Sequence, residues 1–250
     1  MNNAQTPTAA TMNRHTPAIL LAAGRGMRMR PLTDTTPKPL LKVRGKPLMQ
    51  WPMEALAAGG FNPLVINTAW LGEQIEAHFS GWTQQHPGSD LVYSHEGQDF
   101  GYALETAGGI SRALPKLGGI FWVLAGDVYA PDFAFSQAAV DRFAASDRLA
   151  HLWLVPNPPH NPRGDFGLSA DGLALNTTGG ERFTYSTIGL YRRALFEAPW
   201  MDTVPGNPQG SAAPLAPLLR RAMDAARVSA EVYTGAWTDV GTPERLQELG

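Results

Sequence analysis

Residues 18 to 47 read AILLAAGRGMRMRPLTDTTPKPLLKVRGKP. An apolar run, Ala18 to Ala23, breaks into Gly24 and Gly26. Seven cationic side chains follow: Arg25, Arg28, Arg30, Lys38, Lys42, Arg44 and Lys46. Asp34 alone opposes these seven, so the stretch carries a formal +6 in a chain whose total is −2. Three of the four lysines (38, 42, 46 and 116) lie here, and a GC-rich genome explains few lysines but not their clustering. Such a pattern suits phosphate binding. Backbone N–H groups of Ala23–Gly26 can hold phosphate oxygens, while Arg28 and Lys38 supply charge.

The common phosphate loops do not fit. A dinucleotide fingerprint needs a third glycine or alanine where Met29 stands, and an acidic residue about 20 positions on, where this chain places lysine. A Walker A loop needs Gly-Lys-Ser/Thr, and the sequence has none; the kinase catalytic-loop motif is missing too. The cradle is of another design.

The elements around it follow from hydrophobic pattern. Ala18–Ala23 is short, wholly apolar and ends in glycine, as a buried parallel strand does. Further strands are predicted at Leu64–Asn67, Leu91–Ser94, Ile120–Ala125 and His151–Val155. Helices are predicted over 47–59, with Pro52 marking a kink or a late start, and over 71–79, 106–114 and 136–146. From 156 to 190 the pattern turns to short strands and turns, followed by a helix at 214–226 and a strand at 230–234. Thr242-Pro243-Glu244 is a helix start, with threonine capping and proline in the first turn. Alternating strand and helix predicts an α/β fold. It would be a mostly parallel mixed sheet with helices on both faces and a small α+β insertion over 156–235. In such sheets ligands bind beyond the carboxyl ends of the strands, where Gly24–Arg28, Glu96–Gly109 and Gly126-Asp127 fall.

Composition narrows the function. A chain of 250 residues, 44% hydrophobic, can bury a sizeable core. Having no cysteine, it excludes disulfides, thiolate zinc sites and cysteine nucleophiles. No apolar run approaches the roughly 18 residues that cross a bilayer. The near-neutral balance argues against a nucleic-acid binder. Residues 1–16 lack the apolar stretch of a secretory signal and are expected to form a disordered lead, with Met12 as a second possible start. A cytoplasmic protein is the expectation.

These residues also resemble a known family. Gly24, Gly26, Arg28, Pro31, Thr33, Pro37, Lys38 and Pro39 match the signature of the sugar-phosphate nucleotidyltransferases. Further matches are LETAGGI at 104–110, LAGDVY at 124–129, RGDF at 163–166 and WTDVGTPERL at 237–246. Within the family, the NP…H…RGDF stretch and FTYSTIGLY are most similar to the branch whose acceptor is N-acetylmuramic acid 1-phosphate, used in peptidoglycan recycling. The glutamate-lysine-proline loop of the thymidylyl and guanylyl branches is absent between 171 and 183. The sequence stops at Gly250 without the left-handed β-helix that some members append, and a monomer is expected.

The resemblance implies a Rossmann-like fold of the nucleotide-diphospho-sugar transferase type, as one domain over 17–250. It implies transfer of a nucleotidyl group from UTP to a sugar 1-phosphate with release of pyrophosphate. It places Ala22, Ala23, Gly24 and Gly26 in the nucleotide loop, Arg28 at the β- and γ-phosphates and Lys38 at the α-phosphate, with Mg²⁺ held by Asp127 and Asp239. Glu96 or a neighbour would face the pyrimidine, because a carboxylate only accepts and uracil or thymine, unlike cytosine, offers N3–H. Thr106 and Gly108 are expected base or ribose contacts, and Asn157, Gly164, Asp165 and Thr187 sugar contacts. Read without the resemblance, Asp127 also suits a turn or cap, Asp239 an Asx-turn and Glu96 an exposed surface. Two rivals stand beside this reading: a glucose- or mannose-1-phosphate thymidylyl- or guanylyltransferase, and a non-catalytic nucleotide-binding regulatory subunit.

Overall fold

The computed structural model describes residues 15–250. The lead expected over 1–16 therefore lies outside the described residues except for its last two, of which Thr16 is buried and accepts the Asn62 N–H at 3.2 Å. The first apolar run forms β1 (Ala18–Leu21). The basic stretch after it folds as short 3₁₀ turns and a small hairpin, β2 (Lys42–Val43) with β3 (Lys46–Pro47). Beyond it, β4 (Leu64–Thr68), β5 (Leu91–His95) and β6 (Ile120–Ala125) run parallel to β1 in the order β6-β1-β4-β5.

The intervening helices are α1 (Gln50–Ala58), α2 (Gly72–His78), α3 (Trp82–Gln85), α4 (Glu96–Phe100) and α5 (Glu105–Ala113). Pro52 sits in the first turn of α1, where a proline removes no helical hydrogen bond, so the late start holds. Alternate strand residues enter different cores. Ile19, Val65 and Phe121 pack on one face with α5, whereas Leu20, Ile66 and Trp122 pack on the other with α1. Both faces are therefore dry, and the apolar runs are unbroken for that reason.

Past β6 come β7 (Val128–Tyr129), α6 (Gln137–Ala145) and β8 (Ala150–Val155). The segment expected to be an insertion joins the same sheet. After β9 (Phe166–Leu168) and β10 (Ala174–Leu175), the chain forms one long strand, β11 (Arg182–Arg192). Its second half lies antiparallel beside β6 and its first half beside β9, with β8 along its length. A register shift between Tyr185 and Gly189 marks a bulge, within which Thr187 takes φ +64°. Next, α7 (Leu215–Asp224) packs beside α5, and β12 (Val228–Val232) pairs parallel with β8. Finally β13 (Thr238–Asp239) pairs with β7, and α8 (Pro243–Glu248) is capped by the Thr242 hydroxyl. The result is an α/β fold around a nine-stranded, mostly parallel mixed sheet. Among the described residues no helix is long and apolar enough to cross a membrane.

Candidate active site

The carboxyl ends of β1, β4, β5 and β6 open on one edge of the sheet, into a cleft of about 700 Å³. The turn after β1 supplies Ala22, Ala23, Gly24 and Gly26 to its wall. Gly26 takes φ +66°, and its carbonyl accepts Met29 N–H at 2.8 Å and the Thr33 hydroxyl at 2.9 Å. A Cβ there would stand 3.0 Å from Thr33 Cγ2, so both conformation and packing demand glycine. Gly24 is different. It is exposed, and an added Cβ would meet no protein atom within 4 Å, only the open cleft. Its lack of a side chain therefore serves close approach by something that enters. The Ala22 N–H is already taken by Asn67 Oδ1 at 2.7 Å, which leaves the amides from Ala23 onward for an anion. Trp70 frames the turn. Its indole N–H donates to Thr33 O at 2.9 Å, and Arg25 lies 4.2 Å over its ring.

Lys38, at the head of a 3₁₀ turn, reaches the end of β6 and pairs with Asp127. The lysine side chain is 10% exposed and the aspartate 34%, so the pair sits half-desolvated on the cleft wall. Asp239 comes from more than a hundred residues later in sequence, yet the β7·β13 pairing sets it opposite Val128 and bonds Val240 N–H to the Asp127 carbonyl at 2.9 Å. Its carboxylate takes Arg245 at 2.5 Å and His160 at 2.7 Å. Asp239 itself is not among the residues that line the cleft. Arg28 is exposed, one turn beyond Gly26 and outside the lining, with no hydrogen bond or ion pair among the described residues. No cluster of three or more histidine or acidic ligands occurs among the described residues.

Glu96 reaches the cleft but is 0% exposed. Its two oxygens accept Asn67 Nδ2 at 2.6 Å and Leu104 N–H at 2.7 Å. Burial pushes its carboxyl above the ordinary value, and the bonds from Leu104 and Asn67 pull it back only in part. Gly109 makes room, since a Cβ there would lie 2.8 Å from Asn67 Nδ2. Glu96 thus ties β4, α4 and the entrance of α5 together beneath the cleft, rather than standing on an exposed surface. The carboxylate that projects freely is Glu105, held at φ +60° on the first turn of α5, exposed and without a partner among the described residues. Left-handed backbone at a non-glycine residue costs on the order of 1 kcal/mol or more, and such strain gathers at functional sites. Thr106 lines the cleft beside it.

Gly108 does not line the cleft. The loop before α7 presses on it, with a Cβ there 2.6 Å from Ser211 O, and Ala213 O takes the Ala107 and Gly108 N–H groups at 2.9 and 3.0 Å. Asn157 and Gly164 likewise build the scaffold. Asn157 donates to Arg182 O at 2.9 Å and accepts from the Thr184 hydroxyl at 2.9 Å, while Gly164 takes φ +60° against Phe183. They hold Asp165 in the cleft, where one carboxylate oxygen accepts Tyr185 N–H at 2.8 Å. Thr187 lines the cleft as well, and its buried hydroxyl has no partner among the described residues. The sequence reading missed Asn67, Glu105, Tyr185 and Arg220. A glutamate where a helix starts and an arginine on an amphipathic helix carry no local signal of a cleft.

The match to known proteins agrees with this architecture. The family model for nucleotidyl transferases matches residues 17–172, and the chain belongs to that family. Over 234 residues it is 48% identical to the N-acetylmuramate alpha-1-phosphate uridylyltransferase of Neisseria meningitidis, covering 92% of this chain and 95% of that one. A protein of the same name from Caulobacter vibrioides is 32% identical over 239 residues, covering 91% and 92%. Among solved structures, a putative glucose-1-phosphate thymidylyltransferase from Bacillus anthracis superposes with a TM-score of 0.74 at 20% identity, over 94% of this chain and 93% of that one. The CTP:phosphocholine cytidylyltransferase of Streptococcus pneumoniae gives 0.68 at 20%, over 94% and 97%, and both establish the fold.

Proposed function

We propose that this chain transfers the uridylyl group of UTP to N-acetylmuramic acid 1-phosphate and releases pyrophosphate. What carries the reading is the meeting of the glycine turn, Lys38 and Asp127 in one cleft, in a chain 48% identical over nearly its full length to a relative so named. The acceptor's phosphate has its second pKa near ~6, so at neutral pH it is already a dianion and needs no general base. One of its oxygens bonds to the α-phosphorus of UTP as the α–β bridging bond breaks, and pyrophosphate leaves with the electron pair. The protein's task is to hold two polyanions in line and offset their charge.

In this reading the amides of Ala23–Gly26 and Arg28 receive the triphosphate, and Lys38 stands between α-phosphate and acceptor. Glu105 is the carboxylate open to uracil N3–H, a role that Glu96, with both oxygens engaged, leaves to it. Thr187, with its orphaned hydroxyl, meets the acceptor. Asp127, just before β7, and Asp239, on β13, are the carboxylates that would hold Mg²⁺, which commonly takes one or two carboxylates and fills its shell with water and substrate oxygens. Bound there, the ion would offset charge between the two phosphates. Magnesium dependence and a place in cell-wall recycling belong to this same reading.

Pyrophosphate release, measured over a panel of sugar 1-phosphates and nucleoside triphosphates, tests it. The pair of UTP with N-acetylmuramic acid 1-phosphate should give the highest kcat/KM; a clear preference for another pair refutes the assignment. Lys38→Ala should lower turnover on the order of 10²-fold or more with the fold retained by circular dichroism. Normal turnover in that variant would remove Lys38 from the mechanism.

A further inference from the structure

Strand order gives the cleft a direction. Asn67, Glu96 and Glu105 lie on the β4 and β5 side of the glycine turn, whereas Asp165, Thr187 and Arg220 lie across β6, where β9, β11 and α7 close the cleft. Arg220 and Lys38 are the two cations on the lining, and Lys38 is committed to Asp127. Arg220 is not neutralised: among the described residues it has no carboxylate within ion-pair reach. It is nonetheless held in place. Nη1 donates to Asn176 Oδ1 at 2.7 Å, Nη2 lies 3.5 Å from the Asp165 carbonyl, and the guanidinium stands 5.1 Å over the Phe166 ring. Neighbouring Arg182 spends its Nη2 on the same carbonyl at 2.7 Å and stays outside the lining.

We infer that Arg220 is a specificity-determining residue that binds a carboxylate on the acceptor sugar, the lactyl carboxylate of N-acetylmuramic acid 1-phosphate. The inference rests on the function proposed above. That acceptor differs from N-acetylglucosamine 1-phosphate by a lactyl ether on O3, which ends in a carboxylate. On the β9 and α7 side of the cleft, Arg220 is the cation that such a carboxylate would find. Without a cation there, it would meet Asp165 and be repelled. A guanidinium pre-aimed by Asn176 and Phe166 offers two parallel N–H donors to a carboxylate at little further ordering cost.

The test compares the full-length protein with Arg220→Met and Arg220→Lys, using UTP and three acceptors. These are N-acetylmuramic acid 1-phosphate, its uncharged lactyl amide and N-acetylglucosamine 1-phosphate. Arg220→Met should raise KM for the acid on the order of 10²-fold, while KM for UTP and for the two neutral acceptors stays within about twofold. Arg220→Lys should recover part of that loss, since it keeps the charge and gives up the fork. Melting curves confirm that each variant folds. An unchanged KM for the acid in Arg220→Met overturns the inference and leaves the proposed function standing. A rise of equal size for all three acceptors also overturns it, because a structural effect ignores the charge. Failure of the unaltered protein to use N-acetylmuramic acid 1-phosphate, with transfer to another sugar 1-phosphate, removes the proposed function and this inference together.

Discussion

Glu96 shows how one buried side chain can organise a site without entering the chemistry. Two donors face its carboxylate, and Asn67 cannot rotate to offer an acceptor, because its Oδ1 already holds Ala22 N–H. Glu96→Ala leaves both donors without an acceptor beneath the cleft and should destabilise the fold by about 1–3 kcal/mol. The pH dependence has a definite sign. Burial raises the carboxyl in the folded chain above its ordinary 4.5, so folding favours the protonated form. That contribution is complete below 4.5 and is lost as pH rises through the elevated folded value. Urea melts should therefore show the deficit of Glu96→Ala largest at about pH 4 and smaller at about pH 7. A deficit that grows with pH would contradict the assignment. At this scale the sequence was a partial guide. Lys38, Asp127 and the glycines could be read because charge and turn coincide at a strand end. Asn157, Gly164 and Gly108 belong to residue types that serve packing as often as ligands, and only their neighbours tell which.

The turn after β1 is the element to which we assign the triphosphate, and its two glycines differ in their surroundings. Gly26→Ala meets both a left-handed backbone and Thr33, and should cost on the order of 1–2 kcal/mol of stability. Gly24→Ala adds a methyl to empty cleft, and should leave stability within about 0.5 kcal/mol while raising KM for UTP several-fold. Paired thermal melts and kinetics separate them; equal loss of stability in both would refute the distinction. The parallel strands were legible as elements because burial on both faces writes itself as unbroken apolar runs. By contrast, β11 looked like short pieces. One face of it meets the cleft and its bulge breaks the alternation, so RFTYSTIGLYR does not announce a single strand joining the two halves of the sheet. Residues 98–103, QDFGYA, read as an insertion, yet their first three close α4, the helix that begins at Glu96 and brings it beneath α5.

Across the whole molecule, charge is nearly balanced while the cleft approach is not. A net −2 coexists with a formal +6 over residues 18–47, the stretch that supplies Gly24, Gly26 and Lys38 to the cleft wall. Polyanions should feel this field before contact, and salt should weaken it. Raising ionic strength from about 0.01 M to about 0.15 M shortens the screening length from about 30 Å to about 8 Å, and KM for UTP should rise several-fold while kcat changes less. A salt-independent KM would mean that local contacts alone capture the triphosphate.

The β7·β13 pair has a consequence for synthesis. Asp127 precedes Asp239 by more than a hundred residues, so the β7·β13 pairing and the bond from Val240 N–H to the Asp127 carbonyl can close only when the chain is nearly complete. A product cut short before that segment would lack Asp239, and with it the second acid of the proposed ion site.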